Sequence, residues 1–150
     1  MRQQNIIWTL FSVFVAVFVT SQAFAQSDVI EKRQKLMKSQ SKDSKAIKAA
    51  VESKDYATIE AKAKEIMGTA EKIPDLFPKG SAKGETRAKA EIWDKWDDFT
   101  KKAKSLNKAA GELAAAAKAK DDAAVTAKVK AVGGACSGCH KAFREKKKTE

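Results

Sequence analysis

Two cysteines and one histidine carry the clearest chemistry in this chain. They stand together as Cys136-Ser137-Gly138-Cys139-His140, and the sequence has no other cysteine or histidine. A C-x-x-C-H run is the sequence signal for covalent attachment of c-type haem. Thiols three positions apart lie on one face of a helix, about one turn apart. That spacing suits the two vinyl groups along one haem edge, which become thioethers. His140 follows at once, rotated about 100° around the helix, so its imidazole can reach over the macrocycle to the iron while the cysteines hold the edge.

The same residues allow other readings. A disulfide or thioredoxin-type redox pair would call for a β-α-β setting, and no strand pattern lies nearby. A structural zinc site uses four ligands, and this run offers three with no second Cys/His cluster elsewhere. A chance match with an unligated histidine is the remaining alternative.

The elements that would position this run are helical. The first residues read as a secretory leader. One positive charge precedes an almost wholly apolar stretch at residues 6–19, and Ala23-Phe24-Ala25 forms an A-x-A site. At about fourteen residues that stretch is shorter than the roughly 20 needed to span a bilayer. Residues 1–25 are therefore expected to be a signal peptide cut after Ala25, leaving residues 26–150 as one domain. Export agrees with the haem reading, since c-type haem is ligated outside the cytoplasm in bacteria. An oxidising compartment would equally permit a disulfide.

The remainder is rich in Ala, Lys and Glu, carries only two prolines, Pro74 and Pro78, and shows no alternating β pattern. An all-α fold follows. A first helix is expected from a cap at Ser27 or Asp28, with an inward stripe of Val29, Arg33, Leu36/Met37, Gln40, Ser44, Ile47 and Val51. The polar run at residues 39–44 predicts a kink or break. A second helix, with Tyr56, Ile59, Ala63, Ile66/Met67, Ala70 and Ile73 inward, ends at Pro74. Residues 74–90 form a long connection into which Leu76 and Phe77 should tuck. The third helix carries the most regular signal: Ile92, Trp96, Phe99, Ala103, Leu106, Ala110, Leu113 and Ala117 step by four and three, a heptad seam. The fourth, capped by Asp121 or Asp122, continues the steps through Val125, Val129, Val132, Cys136, Cys139 and Phe143, which puts the cysteines inward. Gly133 and Gly134 cost helix stability, and close approach of haem or of another helix would explain them. The expected architecture is an antiparallel four-helix bundle with covalently bound haem.

At this point the chain resembles the cytochrome c′ family, the class II c-type cytochromes. The resemblance covers residues 26–150. It rests on Asp28-Val29-Ile30-Glu31-Lys32-Arg33-Gln34-Lys35-Leu36-Met37, on Leu76-Phe77-Pro78 and Glu91-Ile92-Trp93, and on the run from Cys136 to Arg144. It implies thioethers from Cys136 and Cys139 to one haem c, His140 as proximal iron ligand, and Met37 facing the distal side of the iron. It also implies that Arg33 and Arg144 lie near the haem; otherwise each would read as an ordinary surface ion-pair residue. Family members often pair as homodimers through their first two helices.

The family divides at the sixth iron position. High-spin members leave it unligated and bind small gases such as nitric oxide, while low-spin relatives ligate methionine and carry electrons. A second histidine ligand is excluded, because there is none. Methionine raises the reduction potential. Met37 is the expected ligand, with Met67 assigned to the core.

The functional expectation is thus a periplasmic monohaem electron carrier, with a gas-binding protein as the alternative. A net charge of +11 favours acidic redox partners, and lysines at 32, 35, 38, 42, 45 and 48 could steer the encounter. The opposing view is a solvated face that only maintains solubility. Basic runs at residues 114–120 and 146–148 resemble nucleic-acid-binding tails. Export, the amphipathic seam and the C-x-x-C-H run argue against nucleic acid, and no membrane association is expected once the leader is removed. No nucleophile–base pair, phosphate loop or paired acidic site suggests an enzyme.

Overall fold

The computed structural model describes the backbone of residues 4–146 and the side chains of residues 27–146. Its helices are α1 (Gln4–Glu52), α2 (Tyr56–Glu71), the single turn α3 (Glu91–Asp94), α4 (Trp96–Lys118) and α5 (Asp122–Phe143). A 3₁₀ turn, Pro74–Leu76, follows α2. The four long helices form the bundle: α1 packs on α2, α2 on α4, α4 on α5, and α1 only touches α5. The expected leader and its cut after Ala25 fall outside the residues whose side chains are described.

Local chemistry explains the boundaries. Asp55 caps α2, its Oδ1 accepting from the Thr58 amide at 3.0 Å. Asp121 caps α5 by accepting from the Ala124 amide at 2.9 Å. Lys54 and Lys120 take left-handed backbone conformations, φ 54° and 55°, to reverse the chain in the two short turns. Those turns meet at one end of the bundle, where Lys54 bonds Asp122 at 2.6 Å and Tyr56 donates to the same carboxylate.

The α2–α4 core is built from small and branched residues. Ile59, Ala63 and Ile66 on α2 and Ala110 and Leu113 on α4 are fully buried. Gly111 lets the two backbones come together, since a Cβ there would sit 3.2 Å from Met67 Sδ.

Three features depart from the sequence expectation. The first helix does not begin at Ser27 or Asp28: nothing between residues 4 and 52 is proline or glycine, and the helix runs through. Nor does it break at residues 39–44. Gln40 donates to Thr69 Oγ1 at 3.1 Å, and Asp43 lies 3.7 Å from Lys62 Nζ, so the polar residues face α2 instead of interrupting α1. The buried stripe therefore includes Ile30, Asp43 and Ala50, while Val29, Ser44 and Val51 sit at its margins.

The second departure is at Trp96, expected on the seam but 37% exposed. Lys95, at φ −119° and ψ 46°, leaves the helical region and separates Ile92 from Trp96. Their four-residue spacing no longer lies on one helix. The rest of the seam, from Phe99 to Ala117, is buried as expected. The third concerns one of the two reasons expected for Gly133 and Gly134: a Cβ at either would meet nothing within 4 Å, so among the described residues close approach of another helix is not what they permit.

Candidate functional site

Where α1 and α5 stand apart, a cavity of about 830 Å³ opens between α1, α4, α5 and the connection from α2. This is within the roughly 300–1,000 Å³ usual for ligand and cofactor sites. Six residues singled out in the sequence line it together: Arg33, Met37, Cys136, Cys139, His140 and Arg144. They come from opposite ends of the chain, and only the packing of α1 on α2, α2 on α4 and α5 on α4 brings them to one space.

The α5 wall supplies the reactive groups. Cys136 and Cys139 are half-buried free thiols, not bonded to each other. Burial pushes both thiols above the usual range, while Lys102 draws Cys139 back. Among the described residues no group of three or more His, Cys, Asp or Glu could hold a metal ion by itself. Burial lowers the His140 pKa, and the cations Arg144 and Arg87 lower it further. Both effects favour the neutral imidazole, the form that ligates iron.

The α1 wall supplies charge. Arg33 is 5% exposed, and burial holds its pKa down to about 10. Its guanidinium is held by neutral groups only. Nε donates to the Leu76 carbonyl at 3.0 Å, Nη2 to Ser81 Oγ at 2.7 Å and Nη1 to Thr86 Oγ1 at 3.2 Å. Its Cζ stacks 4.0 Å from the centre of the Phe77 ring. Buried cations are ordinarily paired with an anion. Arg33 has no carboxylate within ion-pair distance among the described residues, so no ion pair offsets its charge.

Between the polar residues of the rim, an apolar surface runs along α4 and the connection. Phe99 stacks between Phe77 at 4.7 Å and Phe143 at 5.4 Å, and Ala103 and Leu106 continue the surface along α4. Phe77 is anchored because Trp93 Nε1 donates to its carbonyl at 3.0 Å.

A wide, largely apolar slot with two free thiols and a neutral imidazole along one wall fits a haem. An unpaired buried cation on the facing side fits an anionic substituent of such a group. Sequence reasoning missed Arg87, which lies in the irregular connection where periodicity has no meaning. It also missed the Phe77–Phe99–Phe143 wall as a unit, although each residue was expected inward on its own.

The model of the family described as Cytochrome C′ matches residues 28–144. This chain belongs to the cytochrome c′ family. A cytochrome c′ of Pararhodospirillum photometricum is 38% identical over 119 residues, covering 77% of this chain and 95% of that protein. The crystal structure of cytochrome c′ from Thermochromatium tepidum matches with a TM-score of 0.75 and 31% identity, over 81% of this chain and 97% of that one. The nitric oxide complex of the L16A mutant of cytochrome c prime from Alcaligenes xylosoxidans matches with a TM-score of 0.73 and 26% identity, over 81% and 97%. The fold is thus a cytochrome c′ four-helix bundle, and the protein is a monohaem electron-carrying or gas-binding member carrying one covalent haem c.

Proposed function

We propose that this cytochrome c′ family member is a periplasmic one-electron carrier. In this reading Cys136 and Cys139 hold the haem as thioethers, His140 is the proximal iron ligand and Met37 the distal one. The observation that carries it is the shared cavity: Met37, half-buried on α1, and the Cys136–His140 run on α5 line one space from two helices that barely touch. Haem c supplies a one-electron couple there.

The chain's own residues set the conditions for it. The neutral His140 side chain donates a lone pair, and a thioether at position 37 favours the reduced state. Phe77, Phe99 and Phe143 exclude water from the wall between them, which also favours the less charged, reduced state. Arg33 offers its unpaired charge to an anionic edge of the cofactor. The periplasmic assignment is supported by the leader-like residues 1–25, and among the described residues no helix is long and apolar enough to cross a membrane. The six α1 lysines at 32, 35, 38, 42, 45 and 48 are all exposed, which supports an acidic partner.

A second reading is favoured by the likeness to the Alcaligenes xylosoxidans protein, described as a nitric oxide complex. There Met37 would be a packing residue and the distal side a gas site. Optical spectra separate the two. Ligation by Met37 gives sharp low-spin spectra and a far-red methionine–iron band that Met37→Ala abolishes, with sluggish gas binding. Broad high-spin spectra in the wild type with ready nitric oxide binding would establish the second reading instead.

A further inference from the structure

Residues 86–89 run along the C-terminal end of α5 as a short antiparallel clip. Lys89 N donates to the Phe143 carbonyl at 3.1 Å, and Glu145 N donates to the Arg87 carbonyl at 2.8 Å. Ala88 pairs with Arg144 between them. The clip closes one turn beyond His140. It is tied to α1 as well, because Thr86 Oγ1 accepts from Arg33 and from its own Ala88 amide. Arg87 is thereby held by its backbone at the cavity, whose lining it shares with His140 and Arg144. Neither Arg87 nor Arg144 has a carboxylate within ion-pair distance among the described residues; both are exposed, and Glu85 lines the same cavity.

We propose that Arg87, held by the clip, is a potential-setting residue: its unpaired positive charge favours the reduced form of the site at His140. The inference rests on the assignment of haem to Cys136, Cys139 and His140. When one electron leaves to an external acceptor, one unit of positive charge remains at the site, and a guanidinium on the lining of the same cavity disfavours that state. Arg144 acts in parallel from the other side of the clip.

The test is a potentiometric titration of the haem-loaded wild type, Arg87→Gln and Arg87→Lys, with hydrogen exchange at the Glu145 amide followed in each. The charge is remote and partly solvated, so Arg87→Gln is expected to lower the reduced-to-oxidised ratio at fixed ambient potential by roughly three- to tenfold. Tenfold corresponds to about 59 mV for one electron. Arg87→Lys should stay within a factor of two of wild type, with Glu145 protected in all three. An unchanged potential in Arg87→Gln overturns the proposal; an anionic cofactor edge seated on Arg87 would produce that result. An equal fall in both variants, or a fall that accompanies loss of Glu145 protection, also overturns it, because position and not charge would then be responsible. Failure of the underlying assignment is seen separately, as a wild type without a covalent haem spectrum.

Discussion

Along α2 and α4 the bundle fills itself. Ile59, Ala63, Ile66, Ala110 and Leu113 leave essentially no exposed surface, and Gly111 brings the backbones close enough that Met67 touches the opposite helix. Across α1 and α5 the same bundle does not close. Here the buried residues include Arg33 and Gln40, the helices barely touch, and the space between them is a cavity. The first region has a complete hydrophobic core. The second is a frame with apolar walls, reactive groups on one side and a stray cation on the other. One four-helix pattern can therefore hold a self-sufficient half and a half completed by its cofactor.

Substitutions can break this contrast in order of effect. Cys136→Ser with Cys139→Ser should abolish covalent haem altogether while the helical content of the α2–α4 half persists. Pyridine haemochrome assay after denaturing extraction, together with far-ultraviolet circular dichroism, checks both halves of that statement. A double variant that retained covalent haem would end the thioether assignment. Leu113→Ala should do the reverse. It removes a fully buried side chain from the packed half and should cost about 3 kcal/mol of unfolding free energy. Denaturant titration measures the loss, and the haem spectrum at low denaturant should be unchanged.

Asp43 sharpens the comparison, because it lies at the edge of the packed half with a polar defect. Its Oδ2 is buried with no hydrogen-bond partner. Burial first, and then the nearby Glu65 charge, raise its pKa above the ordinary 3.8, against the pull of Lys62. The folded state thus binds this proton more tightly than the unfolded one. Asp43 is consequently least unfavourable below pH 3.8, and its cost grows as pH rises through the raised value. Asp43→Asn should therefore be more stable than wild type at pH 7 by about 1 kcal/mol, with the gain vanishing towards pH 3.5. Thermal melts at the two pH values decide it, and a gain that persisted unchanged at low pH would rule out this origin.

The smallest effect concerns the rim. Lys42→Glu with Lys45→Glu should slow reduction by an acidic donor several-fold at low ionic strength and leave the rate at 0.5 M salt nearly unchanged. Stopped-flow rates against ionic strength give the slope. A flat slope in the wild type would remove steering as a role for these lysines.

The packed half was legible in the sequence because its physics is local. Phe99, Ala103, Leu106, Ala110, Leu113 and Ala117 repeat at helical spacing, and that repeat follows directly from one face of a helix being buried. The cavity half was legible by short spacing at Cys136, Cys139 and His140, and at Arg33, Met37 and Arg144 only through the family resemblance. The polar stretch of α1 was misread as a break because periodicity scores a buried Gln40 or Asp43 as a defect. In the fold, Thr69 and Lys62 on α2 accommodate them. Trp96 was misplaced because one non-helical residue, Lys95, resets the register without any proline or glycine to announce it.

The sequence by itself therefore determined the helical class, the packed seam, a cap at the start of the last helix and the Cys136–His140 run. All of these depend on residues within one or two helical turns of each other. Only the tertiary structure decided that Arg33 lacks an anionic partner, that Met37 shares a cavity with His140, and that Arg87 is clipped to the end of α5. Those facts depend on which elements lie side by side across a hundred residues of chain, and no local spacing records that.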